Sequence, residues 1–317
     1  MTLFPFRYLI GVFIFLFSTV SFAQRKLPPQ HAPDPFVSLK EIAATEVKNQ
    51  GNTGTCWCFS GTAVLESQFM ASQKMDIDLS EMFTVRNIYM EKARNYVLRQ
   101  GKAQFSQGAL GHDVIHSVSL YGAMPDAAYS GLVNKTFHDH SRLADQLKVF
   151  LDSIINKAPR PLNTNWEDAF ARILDEYLGK VPDSFDFKGK KYSPLSFAKE
   201  VLAFDPSAYV NITSFTHHPY YEPFILEVPD NFSNGSYYNV PLNDLVAVVQ
   251  QALQNGYSVM WDADVSNDNF RHLIGLAIVP DPVGNPRFDP AGPEQSCDAE
   301  KRQQLFESLE TQDDHLM

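Results

Sequence analysis

The segment Gln50 to Ser60, QGNTGTCWCFS, limits the possible folds more than any other stretch of the chain. Gly51 and Gly54 lead into Cys56. From there to about Ser72 the residues Trp57, Phe59, Ala63, Val64, Leu65, Phe69 and Met70 are apolar around much of a helical circumference. A helix that apolar belongs inside a domain. Its first residue is then a thiol at a helix N-terminus, where unpaired backbone N–H groups and the positive end of the macrodipole favour the thiolate. The glycines permit the tight turn into that position. Gln50 stands six residues before the cysteine (56 − 50 = 6). The bland alternative is that a free cysteine is only a small buried hydrophobe.

The glutamine at this spacing, the intervening glycines and Trp57 directly after Cys56 resemble the nucleophile segment of papain-type cysteine peptidases, family C1. The resemblance implies that Cys56 attacks the peptide carbonyl to form a thioacyl-enzyme, that Gln50 stabilises the oxyanion, and that Gly54 and Trp57 border the bound substrate. Cys58 departs from the pattern, because the family commonly has alanine there. Cys56 and Cys58 form only C-x-C, and with Cys297 they lack the paired spacings of a zinc site. Three cysteines do not make a disulfide framework, although a Cys58 to Cys297 bridge stays open in an exported protein. The expected chemistry needs neither a metal nor an organic cofactor. A C-x-C redox or metal protein is kept as a rival that would require both cysteines.

Residues 1–23 carry Arg7 as their only charge, then the apolar run Tyr8 to Phe17, and end in Ser21-Phe22-Ala23. This pattern predicts a signal peptide cleaved after Ala23, and hence a secreted or periplasmic protein. The run is short for a membrane span of about 20 residues, and no later segment is apolar for long enough. The whole chain has net charge −11. Removing Arg7 leaves 26 − 1 = 25 basic against 37 acidic residues, or −12. That balance disfavours nonspecific attraction to nucleic acid or anionic membrane, so the expected partner is a peptide or protein substrate. The oligomeric state is not legible. With 317 residues and 44% hydrophobic content the chain can bury a full core.

Residues 24–46 read as an extended N-terminal segment and 47–317 as one catalytic domain. Ser80 is placed to cap a helix that ends near Gly101. His112 and His116 share one face of a short helix that exits through Tyr121-Gly122. They are read as scaffold, and His138, His140, His217 and His218 as surface or structural. A long, mostly helical stretch follows, with Leu143, Leu147, Phe150, Leu151 and Ile154 at helical spacing and a second helix near 166–178. Strands are expected in 209–228, a helix over 237–255, and a buried strand in GYSVMWDADVS. The leucine-serine-glutamate helix start, the Gly-rich approach and YG-x-x-P exit, the helical stretch in mid-chain and the W-D-x-D-V-S strand are similar to the bleomycin hydrolase or aminopeptidase C branch. That resemblance covers about Val47 to the end. It implies an α+β papain-like two-lobe fold: a helical lobe over 47–133, a helical insertion over 134–205, and an antiparallel β-barrel lobe over 206–317 that is incomplete.

A thiolate needs a partner that accepts and returns a proton. His272 precedes an apolar strand, but His315, in the D-D-H run followed by Leu316 and Met317, resembles the catalytic histidine of the branch and is preferred. It lies 315 − 56 = 259 residues from Cys56, against about 130–150 in short papains, and the insertion accounts for the excess. The family's orienting asparagine, in an N-S-W motif, does not occur. The expectation is therefore a cysteine peptidase, either an aminopeptidase, as its branch implies, or an endopeptidase, truncated at its C-terminus. Its rival is a catalytically inactive papain-like binding protein or gene fragment.

Overall fold

The apolar run after Thr55 forms α1 (Cys56–Gln73), with Trp57, Gly61, Leu65 and Phe69 buried along one side and Cys58 and Thr62 beside them. The computed structural model describes residues 37–163, 165–285, 289, 291–313 and 315–317; the signal segment 1–23 and the proline-rich stretch after it lie outside the described residues. Lys74 ends α1 in the left-handed region (φ 53°), and its N–H caps the Met70 carbonyl. The next helix, α2 (Glu81–Leu98), starts where the sequence places its cap. Ser80 Oγ accepts the Phe83 N–H at 3.1 Å and donates to the Tyr129 carbonyl. Gly101 closes the far end at φ 78°.

α3 (Gly111–Tyr121) crosses α1 at very close range. A Cβ on Gly61 would come within 2.6 Å of Val114 Cγ2, so only glycine permits this crossing. Gly122 (φ 82°) turns the chain out of the helix. The mid-chain stretch gives α4 (Ser141–Asn156) and α5 (Trp166–Leu178). Leu143, Leu147 and Leu151 on one, and Phe170, Leu174 and Leu178 on the other, recur every fourth residue and are buried. These stripes pack on each other and on α2, within the same apolar core as α1. The hairpin β1 (Phe185–Phe187) and β2 (Lys190–Tyr192) wraps Phe197 of α6 (Pro194–Glu200). The rings of Phe185, Phe187 and Tyr192 lie 5.3, 5.0 and 5.9 Å from it.

Beyond residue 205 the strands are short. β3 (Ile212–Thr213) runs parallel to β5 (Ser236–Asn239), which pairs antiparallel with β4 (Pro223–Ile225). α7 (Leu242–Gln254) follows Pro241. The helix expected over 237–255 thus begins five residues later, because Tyr237 and Tyr238 alternate across a strand and Pro241 marks the change of period. None of the residues of α7 is buried, and Val246 and Val248 are half exposed. β6 (Asp262–Ala263) pairs with β9 (His315–Leu316), and β7 (Phe270–Arg271) with β8 (Leu276–Ala277). The buried strand expected around Trp261 is corrected on the same ground: its ladder is two residues long, and Trp261 keeps 60% of its surface exposed. α8 (Ala299–Glu307) leads toward β9. The fold is α+β, but among the described residues the strands form four separate small sheets rather than a closed barrel. None of the described helices is long and apolar enough to cross a membrane.

Candidate active site

Cys56 opens α1 on a loop that is fastened from two sides. On one side the chain at 138–140 runs parallel to the loop. The Asn52 N–H donates to the His138 carbonyl (2.8 Å), and the His140 N–H to the Asn52 carbonyl (3.0 Å). Gly51, at φ 65°, lies so close that a Cβ would reach 2.2 Å from the His138 carbonyl oxygen. On the other side Gln107 accepts twice: its Oε1 takes the Gly54 N–H (2.9 Å) and its carbonyl the Trp57 indole N–H (3.0 Å). Trp57 is completely buried, so its ring offers no open face to a bound substrate. Gly54 is exposed at the rim. The Gln50 amide donates to the Thr53 carbonyl (2.8 Å), while Thr53 Oγ donates back to the Gln50 carbonyl (3.0 Å), which folds Gln50 onto its own turn.

The strand carrying His315 packs on this helix. β9 is registered on β6 with His315 opposite Ala263 and Leu316 opposite Asp262, and the Leu316 backbone lies near enough to the Cys56 thiol to lower its pKa. His315 is the neighbour of that residue on the strand. His272 instead lies in the 3-10 turn between β7 and β8, exposed beside Leu273 and away from this ladder. Burial pushes the Cys56 thiol above its ordinary pKa, the N–H groups of Leu316 and Trp57 pull it down, and the carboxylates of Asp262 and Asp230 push it up. The helix N-terminus alone does not make it a thiolate; an imidazolium partner is needed to do so.

Cys58, two residues on, is fully buried and donates its S–H to the Glu81 carbonyl (3.2 Å). Burial holds its thiol well above the usual range. All three cysteines are free, Cys58 buried and Cys297 exposed, so neither the C-x-C pair nor a Cys58 to Cys297 bridge is formed.

The histidines sort by their partners. The side chain of Asp113 accepts the Leu110 N–H (2.9 Å) and the Ser233 hydroxyl (2.8 Å). Ser233 Oγ, its own proton given to Asp113, accepts from His112 Nε2 (2.8 Å), and His112 Nδ1 accepts from the Tyr237 hydroxyl (3.3 Å). That chain of donors latches the 230–235 loop to α3 and leaves Ser233 no base to activate it. His116 turns to Glu91 at 3.0 Å, so the two histidines of α3 do not share a ligand. His217 and His218 both approach Glu227, at 3.2 and 2.9 Å, a convergence that could hold a metal ion. Gln303 decides otherwise. Its Oε1 takes the Thr216 N–H (2.8 Å), so its Nε2 donates to His217 Nδ1 (2.9 Å), and the ring proton sits on Nε2, spent on Glu227. The trio is satisfied as a hydrogen-bonded cluster.

Sequence reasoning missed Gln107, the 138–140 segment and Lys92. Lys92 is a buried lysine of α2 whose Nζ donates to the Gly108 carbonyl. The Gly-rich approach to α3 was visible, but nothing in it says that Gln107 reaches back fifty residues.

A thiol at the head of a buried helix, with a histidine-bearing strand packed on it, is the arrangement that the papain-type resemblance calls for. The family described as papain family cysteine protease matches residues 33–86, and that described as Peptidase C1-like family matches residues 167–278. Aminopeptidase G of Lactobacillus delbrueckii subsp. lactis is 24% identical over 264 residues, 71% of this chain and 60% of the relative. Aminopeptidase C of the same organism is 24% identical over 283 residues, 75% and 62% of the two chains. A cathepsin L-like proteinase of Fasciola hepatica is 51% identical over 49 residues, 16% and 15% of the two. The crystal structure of PepW from Lactobacillus rhamnosis HN001 superposes with a TM-score of 0.61 at 19% identity, over 74% of this chain and 63% of that one, and shows a shared fold. The chain is thus similar to papain-like C1 cysteine peptidases, and over most of its length to their aminopeptidases. It spans about 60% of the length of those aminopeptidases.

Proposed function

We propose that this chain hydrolyses peptide bonds through Cys56, acting as an aminopeptidase outside the cytoplasm. The observation that carries the reading is that β9, the strand of His315 and Leu316, packs on α1, the helix that Cys56 opens. His315 takes the thiol proton as sulfur attacks the carbonyl carbon, and returns it to the departing amine. Water then releases the acyl group from the thioester. Gln50 and the Cys56 N–H stabilise the oxyanion once the Gln50 amide turns from Thr53. The helices of 47–133 and the strands of 206–317 stand for the two papain lobes, with 134–205 inserted between them. The aminopeptidase relatives support exopeptidase action, and the 1–23 segment supports export; N-terminal sequencing of protein from an exporting host is expected to begin at Gln24, whereas a start at Met1 would refute cleavage.

A peptidyl epoxide tests the nucleophile. Labelling is expected in the wild type and in Cys58→Ser, and none in Cys56→Ser. Substrates with a free amino terminus are expected to be cleaved faster than N-blocked ones. Absence of labelling in a folded wild type would overturn the reading.

A further inference from the structure

On α2 the buried face runs Ile88, Tyr89, Lys92, Ala93, Tyr96, so a lysine occupies a position that the helical repeat assigns to the core. Lys92 is 1% exposed. Lysine is almost never buried this deeply without a partner. Its Nζ donates to the Gly108 carbonyl, lies 3.5 Å from Ser106 Oγ, and stands 5.1 Å over the Phe232 ring. Among the described residues no ion pair with a carboxylate satisfies it.

A carboxylate holds the same segment as well. Asp230 lies so close over Gly108 that a Cβ there would meet its Oδ2 at 1.7 Å. Asp230 Oδ1 also accepts from Gln104 (3.2 Å) and Ser106 (3.3 Å). Residues 104–108 are thus clamped between a buried ammonium and a carboxylate. Gln107, inside this clamp, is the residue that holds Gly54 and Trp57 on either side of Cys56.

We propose that Lys92 is a positioning residue for the nucleophile: its ammonium fixes the 104–108 segment, which through Gln107 fixes the Cys56 loop and so sets the reactivity of the thiol. The inference rests on Cys56 being the nucleophile. The groups facing Lys92 are Asp113 from α3 and Asp230 from the loop before β5. Burial pulls the lysine down to about 8, and these two carboxylates resist that pull. Above that pH the amine loses its charge-assisted bond and its attraction to Phe232, and the clamp slackens.

The test is the alkylation rate of Cys56 by iodoacetamide, followed by peptide mass spectrometry from pH 5 to 10 on the full chain, beside turnover of a fluorogenic peptide. The proteins are the wild type, Lys92→Met and Lys92→Arg, each with its Tm. Lys92→Met is expected to slow alkylation at pH 7 about tenfold with little change in Tm, the loss typical of one charge-assisted bond to a positioned group. Lys92→Arg is expected to recover most of the rate and to hold it above pH 8, where the wild type falls behind. A Met variant whose profile superimposes on the wild type, or whose rate falls only in step with its Tm, overturns the proposal. Alkylation that responds as expected in a wild type that cleaves no peptide leaves Lys92 its role and removes the peptidase reading instead.

Discussion

His140 shows how a single residue ties the nucleophile loop to pH. It is 2% exposed, its Nδ1 lies 3.3 Å from the Tyr89 hydroxyl, and burial with the nearby His138 and Lys135 brings its pKa down to about 4. The folded state keeps it neutral while the unfolded chain binds a proton near 6.5. Stability from this group is therefore complete above pH 6.5 and is lost as pH falls from 6.5 to about 4, a loss of about 3 kcal/mol. In His140→Gln the fall in Tm between pH 6.5 and 4 is expected to shrink, measured by thermal denaturation across that range. An equally steep fall in the variant would assign the acid sensitivity to other groups. Since the His140 N–H holds the Asn52 carbonyl, loosening of the Cys56 loop is expected in the same window.

At the scale of elements, the segment before α1 is joined to two helices by one lysine. Lys48 Nζ reaches Glu66 of α1 (2.7 Å), Glu81 of α2 (2.8 Å) and Asp78 between them (2.6 Å). Glu66 is fully buried and Glu81 nearly so, and Glu66 also takes the Thr45 hydroxyl and the Leu79 N–H. The three carboxylates hold Lys48 protonated far into alkaline pH. Burial raises Glu81 to about 7 in spite of the lysine. Removing the cation leaves two buried carboxyl groups without their counter-charge. Lys48→Met is expected to cost about 2–4 kcal/mol, read from urea denaturation. The double variant Lys48→Met, Glu81→Gln is expected to recover part of that loss, and a single variant within 0.5 kcal/mol of wild type would show the network to be dispensable.

Across the whole molecule, what was legible followed from local rules. The cap at Ser80, the helix beginning at Cys56 and the leucine stripes of α4 and α5 each depend on residues within a few positions of one another. The preference for His315 over His272 rests on a motif resemblance; β9, which carries His315, packs on α1, whereas His272 lies in the turn between β7 and β8. What stayed hidden depends on long-range backbone partners. Gln107 works through a backbone carbonyl that any residue carries and a side-chain amide whose distant partner no local pattern marks, and the 138–140 bridge uses main-chain atoms only. Strand and helix were confused at Tyr237 because an apolar run of that length fits either period until Pro241 breaks it. The helical core was readable; the fastening of the Cys56 loop was not.

The pairing of β9 with β6 on α1 also carries a kinetic consequence. Helices α1 to α6 gain most of their core from contacts among themselves, whereas the thiol and the strand of His315 meet only by closing a loop of 315 − 56 = 259 residues. Such distant pairings form late, because their chain entropy is repaid only after the nearer contacts are in place. On the proposed mechanism, a partly folded molecule therefore holds a seated cysteine without its base. The pair comes together last, when the flexible segments that it would cut in its own chain or in its neighbours have already folded away.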